Sequence, residues 1–219
     1  MRSFVLGQTA LGMGIPAFEW NGSGPQVLIL GGVHGNEPEG VVAAFGLLER
    51  FNKKFSYNLH LTLIPAFNMD GLLAQSRFNG HGVDLNRNLP TNDWNPKAFD
   101  SKYPPGPSAN SEPENKALVD LIGKNHFRFV ITLHSWKPLL NVNGDCGPEA
   151  EVLSRLTGYE IKKEIGYPTP GCLGTYTGLE RDIPTITYEI ERGLAAAEVL
   201  KIHVPAILEA LKTTEKVRR

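Results

Sequence analysis

The sequence is poor in cysteine and has no excess of charge of either sign. Its 219 residues include only Cys146 and Cys172, and the formal net charge at pH 7 is −1. Two thiols cannot form a disulfide framework, and neither lies in a CxxC redox motif or a zinc knuckle. A near-neutral chain gives no electrostatic argument for nucleic acid or an anionic membrane as a partner. We therefore expect a cytoplasmic protein with reduced cysteines. We also expect that it binds neither nucleic acid nor a membrane.

Long hydrophobic runs, internal repeats, low-complexity tracts and linkers are also missing. No apolar segment approaches the length of a membrane span, and the first residues lack the apolar core of a secretory signal. Hydrophobic residues make up 41% of the chain and charged residues 21%, as is typical of globular proteins. We expect one domain over residues 1–219, and no feature points to a particular oligomeric state.

Hydrophobic patterning predicts strands that alternate with helices. Strands are predicted over residues 27–30, 58–64, 127–133 and 184–190, with an edge strand over 15–20 after an irregular start and a short strand over 159–164. Helices are predicted to begin at residues 38, 111, 148, 173 and 194, the second with Ser111 and Glu114 forming a capping box. Asn21-Gly22 reads as a hairpin turn. The alternation predicts an α/β fold with a mixed, mostly parallel sheet flanked by helices.

The segment from residue 31 to residue 40 has the strongest chemical signal in the chain. His34 and Glu37 lie in a loop between a predicted strand and a predicted helix, where open α/β sheets bind ligands. An imidazole and a carboxylate at this spacing can bind one zinc ion. A polar loop without a ligand is the alternative, and the pair alone does not separate the two interpretations.

Polar residues also follow the other predicted parallel strands. Residues 84–88 lie in the long loop after one strand, His134 ends another, and Glu189 lies near the end of a fourth. Parallel strands bring their carboxyl ends to one edge of the sheet, so these groups are expected to converge with His34 and Glu37. The convergence predicts an active site at that edge.

Four motifs in this order resemble those of the zinc carboxypeptidases of the M14 type. They are His34-Gly35-Asn36-Glu37, Arg77 ahead of Gly82-Val83-Asp84-Leu85-Asn86-Arg87-Asn88, Thr132-Leu133-His134-Ser135, and Thr187-Tyr188-Glu189-Ile190. Together they span most of the chain, and four motifs in order are far more specific than one. The resemblance implies a single-domain, zinc-carboxypeptidase-like α/β fold and one Zn²⁺ per chain.

The resemblance also implies the roles of the residues around the metal. His34, Glu37 and His134 would be the three zinc ligands, since two histidines and a carboxylate leave the open position of a catalytic site. Glu189 would be the general base and acid, and Arg77 would stabilise the oxyanion.

The structural alternatives are plain. His134 could be a satisfied histidine at a strand end, and Glu189 an ordinary strand carboxylate. Glu191 shares a strand face with Glu189 and is its less favoured competitor.

Substrate-binding residues are implied in the same way. Asn86 and Arg87 would bind the terminal carboxylate of the substrate, for which a guanidinium has matching bidentate geometry. Asp84 is expected to accept a hydrogen bond from a zinc-bound histidine. The family also has a tyrosine on a mobile loop near that carboxylate, and Tyr176 is the candidate here.

The compact length and the motifs around His34 and Asp84 are similar to those of short bacterial murein peptide amidases. Those enzymes cleave the amide between γ-D-glutamate and meso-diaminopimelate in cell-wall peptides, so a small peptidoglycan peptide is the expected substrate. Three alternatives stay open on the sequence. They are a general metallocarboxypeptidase, an N-acyl amino acid deacylase of the succinylglutamate desuccinylase or aspartoacylase kind, and a metal-binding peptidoglycan-sensing module without turnover.

Overall fold

Eight strands form one mixed sheet in the computed structural model, which describes residues 1–97 and 100–218. The strands are β1 (Arg2–Gln8), β2 (Gly14–Asn21), β3 (Gln26–Gly31), β4 (His60–Ile64), β5 (Phe127–Trp136), β6 (Leu139–Asn143), β7 (Glu160–Lys162) and β8 (Thr185–Glu191). Their spatial order is β1-β2-β4-β3-β5-β8-β6-β7. The central strands β4, β3, β5 and β8 run parallel, whereas β2 and β6 pair with them in antiparallel fashion. The α/β fold with a mixed, mostly parallel sheet is confirmed.

Helices cover both faces of this sheet. They are α1 (Pro38–Lys53), α2 (Met69–Leu73), α3 (Pro113–Lys124), α4 (Gly147–Thr157) and α5 (Ala196–Val217), with a 3₁₀ turn at Leu85–Arg87 and a π-helical segment at Gly174–Leu179. Along β3 the buried side chains alternate between two cores. Val27 and Ile29 face α1, α4 and α5, whereas Leu28 and Leu30 face α3 and the π-helical segment. No described helix is long and apolar enough to cross a membrane.

The first 25 residues differ from the sequence-based expectation. The start of the chain is β1 rather than irregular, and β1 forms the edge, which leaves β2 inside the sheet. The hairpin at Asn21-Gly22 is also wrong, because β4 lies between β2 and β3. The Gly22 amide donates to the Leu59 carbonyl at 3.0 Å, so this turn packs on the segment that leads into β4. Propensity alone does not specify which strand fills the neighbouring position.

The capping box predicted for α3 is not formed. The helix begins at Pro113 with Glu112 at the cap position, and that side chain makes no capping hydrogen bond. Ser111 instead donates to Glu112 and accepts from Asn88, and Glu114 accepts from the Ala10 amide at 2.8 Å. Tertiary partners compete with the local cap for the same polar atoms.

Two further boundaries differ from expectation. β5 continues past His134 to Trp136. A short turn then leads into β6, a strand that the sequence pattern does not predict. In α5, Val204, Ile207 and Leu211 are buried as expected, but Ala197 and Leu200 are exposed. The buried face of α5 begins at Val199, and the first turn of the helix is exposed.

Candidate metal and active site

Three buried side chains meet at the carboxyl edge of the central strands. His34 lies in the loop after β3, Glu37 directly precedes α1, and His134 lies in β5; they are 3%, 4% and 2% exposed. Nδ1 of His34 lies 3.2 Å from Oε1 of Glu37, and Nδ1 of His134 lies 3.0 Å from Oε2. The candidate ligand atoms of all three residues lie within 4.8 Å of one another. Two imidazoles and one carboxylate are a donor set that fits a catalytic zinc ion.

Close backbone packing holds the loop that carries His34 and Glu37. A Cβ atom at Gly35 would lie 1.9 Å from the Gly71 carbonyl carbon, and one at Gly40 would lie 2.3 Å from the Leu133 oxygen. Glycine at these two positions therefore lets the loop approach α2 and lets α1 approach β5. Pro38 begins α1, and the Glu37 carboxylate makes no helix-capping bond. That carboxylate thus stays directed into the site.

Asp84 orients His34 from behind. Its Oδ1 lies 3.0 Å from Nε2 of His34, which leaves Nδ1 of that ring available to a metal. Burial opposes ionisation of Asp84, but the His34 charge and hydrogen bond, aided by Arg77 and Arg87, hold its pKa well below the usual value. Burial likewise opposes ionisation of Glu37, and the nearby His34 and His134 outweigh it, so its pKa is also lowered. Both carboxylates are anionic at neutral pH, as a cation site requires.

Glu189 lies beside this cluster on β8, in direct register with His134 on β5. Its side chain lines the pocket, and its Oε2 is buried without a hydrogen-bond partner among the described residues. Burial raises the pKa of Glu189 to about 7, with the charge of Glu37 acting in the same direction. An unpaired buried carboxyl group with such a pKa is unfavourable for folding and well suited to proton transfer.

Arg77 bridges the two anionic residues of the site. Its Nε donates to Oδ2 of Asp84 at 2.8 Å, and its Nη1 donates to Oε1 of Glu37 at 3.3 Å. The guanidinium also lies 5.0 Å from the centre of the Tyr103 ring. These contacts fix a positive charge next to the cluster of histidines.

Asn86 and Arg87 line the same pocket on the 3₁₀ turn after Asp84. Oδ1 of Asn86 accepts from the Leu173 amide at 2.8 Å, which ties this turn to the loop before β8. Nη1 of Arg87 donates to the Asn86 carbonyl at 2.6 Å, and its guanidinium lies 5.0 Å from the Tyr103 ring centre. Both side chains are thus held in place before any ligand arrives.

Tyr176 is not brought to the pocket. It is 3% exposed in the π-helical segment, where the Arg181 guanidinium lies 3.5 Å from its ring centre. It packs in the core between the sheet and α3, so the substrate-binding role predicted for it needs correction. Tyr167 and Tyr103 line the pocket instead, with their rings stacked at 6.0 Å.

The pocket has a volume of about 260 Å³ and contains residues that sequence reasoning missed. The missed lining residues are Asn36, Lys102, Tyr103, Trp136, Asn141, Ile165, Tyr167, Thr169, Thr187 and Arg192. Several lie in the two loops rich in Gly and Pro, which was the available signal for them. Arg192 was also detectable, because it is a basic residue three positions after Glu189 at a strand end.

These features define a class of protein: a zinc metallohydrolase with its active site at the carboxyl edge of an α/β sheet. The zinc carboxypeptidase model of the M14 family matches residues 3–186, and the chain belongs to that family. The matched segment ends three residues before Glu189.

Curated relatives include two bacterial amidases. Murein peptide amidase A of Vibrio campbellii is 29% identical over 197 residues, which cover 84% of this chain and 77% of the relative. Murein peptide amidase A of Escherichia coli K12 is 31% identical over 163 residues, which cover 68% of this chain and 64% of the relative.

Solved structures share the fold. The murein-tripeptide amidase MpaA of Escherichia coli O157 superposes with a TM-score of 0.80 at 24% identity, over 97% of this chain and 92% of that one. Carboxypeptidase A of Helicoverpa armigera superposes with a TM-score of 0.84 at 17% identity, over 98% of this chain and 68% of that one.

Proposed function

We propose that this protein is a zinc-dependent amidase that cleaves the γ-D-glutamyl–meso-diaminopimelate bond of murein tripeptide during peptidoglycan recycling in the cytoplasm. The hydrolytic activity is supported by Glu189, whose Oε2 is buried without a hydrogen-bond partner among the described residues, beside His34, Glu37 and His134. The substrate part is supported by the two murein peptide amidases among the relatives. The whole chain, residues 1–219, would act as one domain.

The metal would be held by His34, Glu37 and His134, with Asp84 fixing the orientation of His34. A zinc ion there supplies a Lewis acid that polarises the scissile carbonyl and makes an attacking water more acidic. The remaining chemistry belongs to side chains of the chain itself.

Glu189 is the proposed general base and acid. It accepts a proton from the attacking water and returns it to the nitrogen of the leaving amine. A pKa of about 7 suits both steps, because the group can gain and lose a proton near neutral pH. Arg77 stabilises the negative charge that develops on the carbonyl oxygen, from a position fixed by Asp84.

Asn86 and Arg87 are proposed to bind the terminal carboxylate of diaminopimelate. Arg87 is 4% exposed, and its guanidinium is already held over the Tyr103 ring. Little further ordering of this side chain is therefore needed when the substrate binds.

The test is hydrolysis of L-Ala-γ-D-Glu-meso-diaminopimelate by the zinc-loaded protein, with the products identified by mass. Release of free diaminopimelate, abolished by a chelator and restored by zinc, is the expected result. An intact tripeptide in the presence of one zinc per chain would overturn the substrate assignment. A parallel panel of α-linked peptides and N-acyl amino acids then separates a general carboxypeptidase or a deacylase from the murein amidase.

A further inference from the structure

We propose that Arg192 binds the free α-carboxylate of the γ-linked D-glutamate, on the acyl side of the scissile bond. This inference rests on the proposed function and names a specificity residue for it. In a γ-linked peptide the amide uses the side-chain carboxyl, so the α-carboxylate stays free. In an α-linked peptide the residue before the cleaved bond has no free α-carboxylate, and it carries a negative charge only where it is aspartate or glutamate. An arginine placed to bind the α-carboxylate therefore favours the γ linkage.

Arg192 is held on one edge of its guanidinium and available on the other. Nε and Nη2 donate to the Ser135 carbonyl at 3.2 and 2.8 Å, and Nη2 also donates to Oε1 of Glu37 at 3.1 Å. Nη1 makes no hydrogen bond within residues 1–97 and 100–218, and the side chain is 45% exposed. The arrangement presents a fixed donor toward the pocket that Arg192 lines.

A buried carboxylate pre-positions this arginine. Glu39 is 6% exposed; its Oε1 accepts from the Gly193 amide at 2.7 Å and its Oε2 accepts from Oγ of Ser135 at 2.5 Å. The Arg192 amide also donates to the Trp136 carbonyl at 3.0 Å. The turn after β8 is therefore fastened to both α1 and β5, which lowers the entropy cost of binding an anion there.

The charges of the pocket call for a substrate with several carboxylates. Its lining has four cationic side chains and two carboxylates, and these are Arg77, Arg87, Lys102, Arg192, Glu37 and Glu189. Arg77 pairs with Glu37 and with Asp84 behind it, and Arg87 is assigned to the terminal carboxylate. Arg192 also pairs with Glu37, through Nη2, but its Nη1 makes no hydrogen bond among the described residues. Murein tripeptide carries two more carboxylates, one at the far end of diaminopimelate and one on D-glutamate. Arg192 and Lys102 are the cations left to meet them.

The topology places Arg192 on the acyl side. The turn of Asn86 and Arg87 is flanked by Leu85 and Leu89, which pack in the core shared with α3. Arg192 instead precedes α5 and is fastened to α1, on the other face of the sheet. The histidines lie at the edge between the two faces. A substrate with its terminal carboxylate at Arg87 and its scissile bond at the histidines therefore extends its acyl part toward Arg192.

The experiment compares two tripeptides that differ only in the D-glutamate α-position, one with the free acid and one with the α-amide. For the native protein we expect kcat/KM to be higher for the tripeptide with the free α-carboxylate than for the α-amide. In Arg192→Gln the ratio of kcat/KM for the free acid to kcat/KM for the α-amide should fall about 10- to 100-fold. A loss of this size corresponds to the removal of a charge-assisted hydrogen bond. Arg192→Lys should restore part of the ratio. The matched control Lys137→Gln removes an exposed charge outside the pocket and should keep the native ratio.

A purely structural role for Arg192 predicts a different pattern. Both substrates would then lose activity equally in Arg192→Gln, and an unchanged ratio overturns the inference. Zinc content measured on each variant reports any disturbance of Glu37. If the native protein cleaves both tripeptides equally well, the inference fails while the proposed function stands. If it cleaves neither, the proposed function itself fails.

Discussion

The proposed catalytic role of Glu189 would come at a cost to folding. Most buried carboxylates of this protein are paired, as Asp84 is with His34 and Arg77, and Glu149 is with Arg218. Glu189 instead has a buried oxygen without a partner among the described residues. Desolvation of such a group raises its pKa toward neutrality, where proton transfer is most efficient.

Glu189→Gln keeps the size and removes the titratable group, so turnover of the murein tripeptide should fall about 100- to 10,000-fold. Zinc content should be unchanged, since Glu189 is not among the three candidate ligands. Steady-state kinetics and metal analysis check both points.

Glu191→Gln is the matched control, because Glu191 lies two positions along β8 with an exposed side chain. Its activity should stay near that of the native protein. Equal losses in the two variants would contradict the assignment of Glu189.

At the scale of elements, several hydrogen bonds join α5 to the rest of the molecule, and two of them carry predictions. The end of α5 is joined to α4 by Arg218, whose Nη2 lies 2.7 Å from Oε2 of Glu149. Its middle is joined to β8 by His203, whose Nδ1 lies 2.6 Å from the Tyr188 hydroxyl oxygen. Because Tyr188 directly precedes Glu189, the packing of α5 supports the strand that carries the proposed base.

The Arg218 contact predicts a stability effect. Arg218→Ala should lower the free energy of unfolding by about 3 kcal/mol, because it leaves Glu149 buried without its cation. The double variant Glu149→Leu/Arg218→Leu should recover most of that loss, since neither charge remains buried. Urea unfolding of the zinc-loaded proteins measures both.

Lys212→Ala provides the comparison for that experiment. It breaks an exposed ion pair with Glu209 on the same helix and should cost less than about 1 kcal/mol. If Arg218→Ala lowered the free energy of unfolding by no more than Lys212→Ala does, the result would contradict a stabilising role for the buried pair of Arg218 and Glu149.

His203 predicts a pH dependence of stability. Burial lowers its pKa to about 4, so the folded protein keeps the ring neutral while the unfolded chain protonates near its ordinary value of about 6.5. Stability from this group is therefore complete above pH 6.5 and is lost as pH falls toward 4. Between pH 7 and pH 5 the native protein should lose about 2 kcal/mol more than His203→Gln does.

Chemical unfolding at a series of pH values gives this difference. The exposed His126 is the control site, and His126→Gln should follow the native pH profile. If the free energy of unfolding changed with pH in the same way for the native protein and His203→Gln, the lowered pKa assigned to His203 would be contradicted.

At the scale of the whole molecule, the proposed metal site joins separate parts of the chain. His34 and Glu37 precede the start of α1, whereas His134 lies in β5, about 100 positions later in sequence. Zinc bound by all three binds the folded state and not the unfolded chain, so folding and metal binding are coupled.

Metal removal should therefore lower stability as well as activity. Zinc at 100 times its dissociation constant should stabilise the folded protein by about 2.7 kcal/mol relative to the metal-free form. Thermal unfolding before and after addition of zinc measures the shift. Magnesium should have little effect, because it prefers oxygen ligands, and His134→Ala should abolish the response to zinc. A zinc response retained in His134→Ala would place the metal elsewhere.

The sequence by itself determined the central strands and the residues at their carboxyl ends. Continuous apolar runs such as residues 27–30 can only be buried on both faces, and parallel strands deliver their ends to one edge. For that reason His34, Glu37, His134 and Glu189 are expected together. In the structure His34, Glu37 and His134 form one cluster, and Glu189 lies beside His134 on the neighbouring strand.

Only the tertiary structure decided which other side chains join them. The family resemblance implies Tyr176 as the tyrosine near the terminal carboxylate, but the π-helical segment buries it, and Tyr167 lies in the pocket instead. Arg192 joins the site through Ser135 and Glu37, residues 57 and 155 positions away. Loop positions of this kind depend on long-range packing and hydrogen bonds, which leave no periodic pattern in the sequence from which they can be predicted.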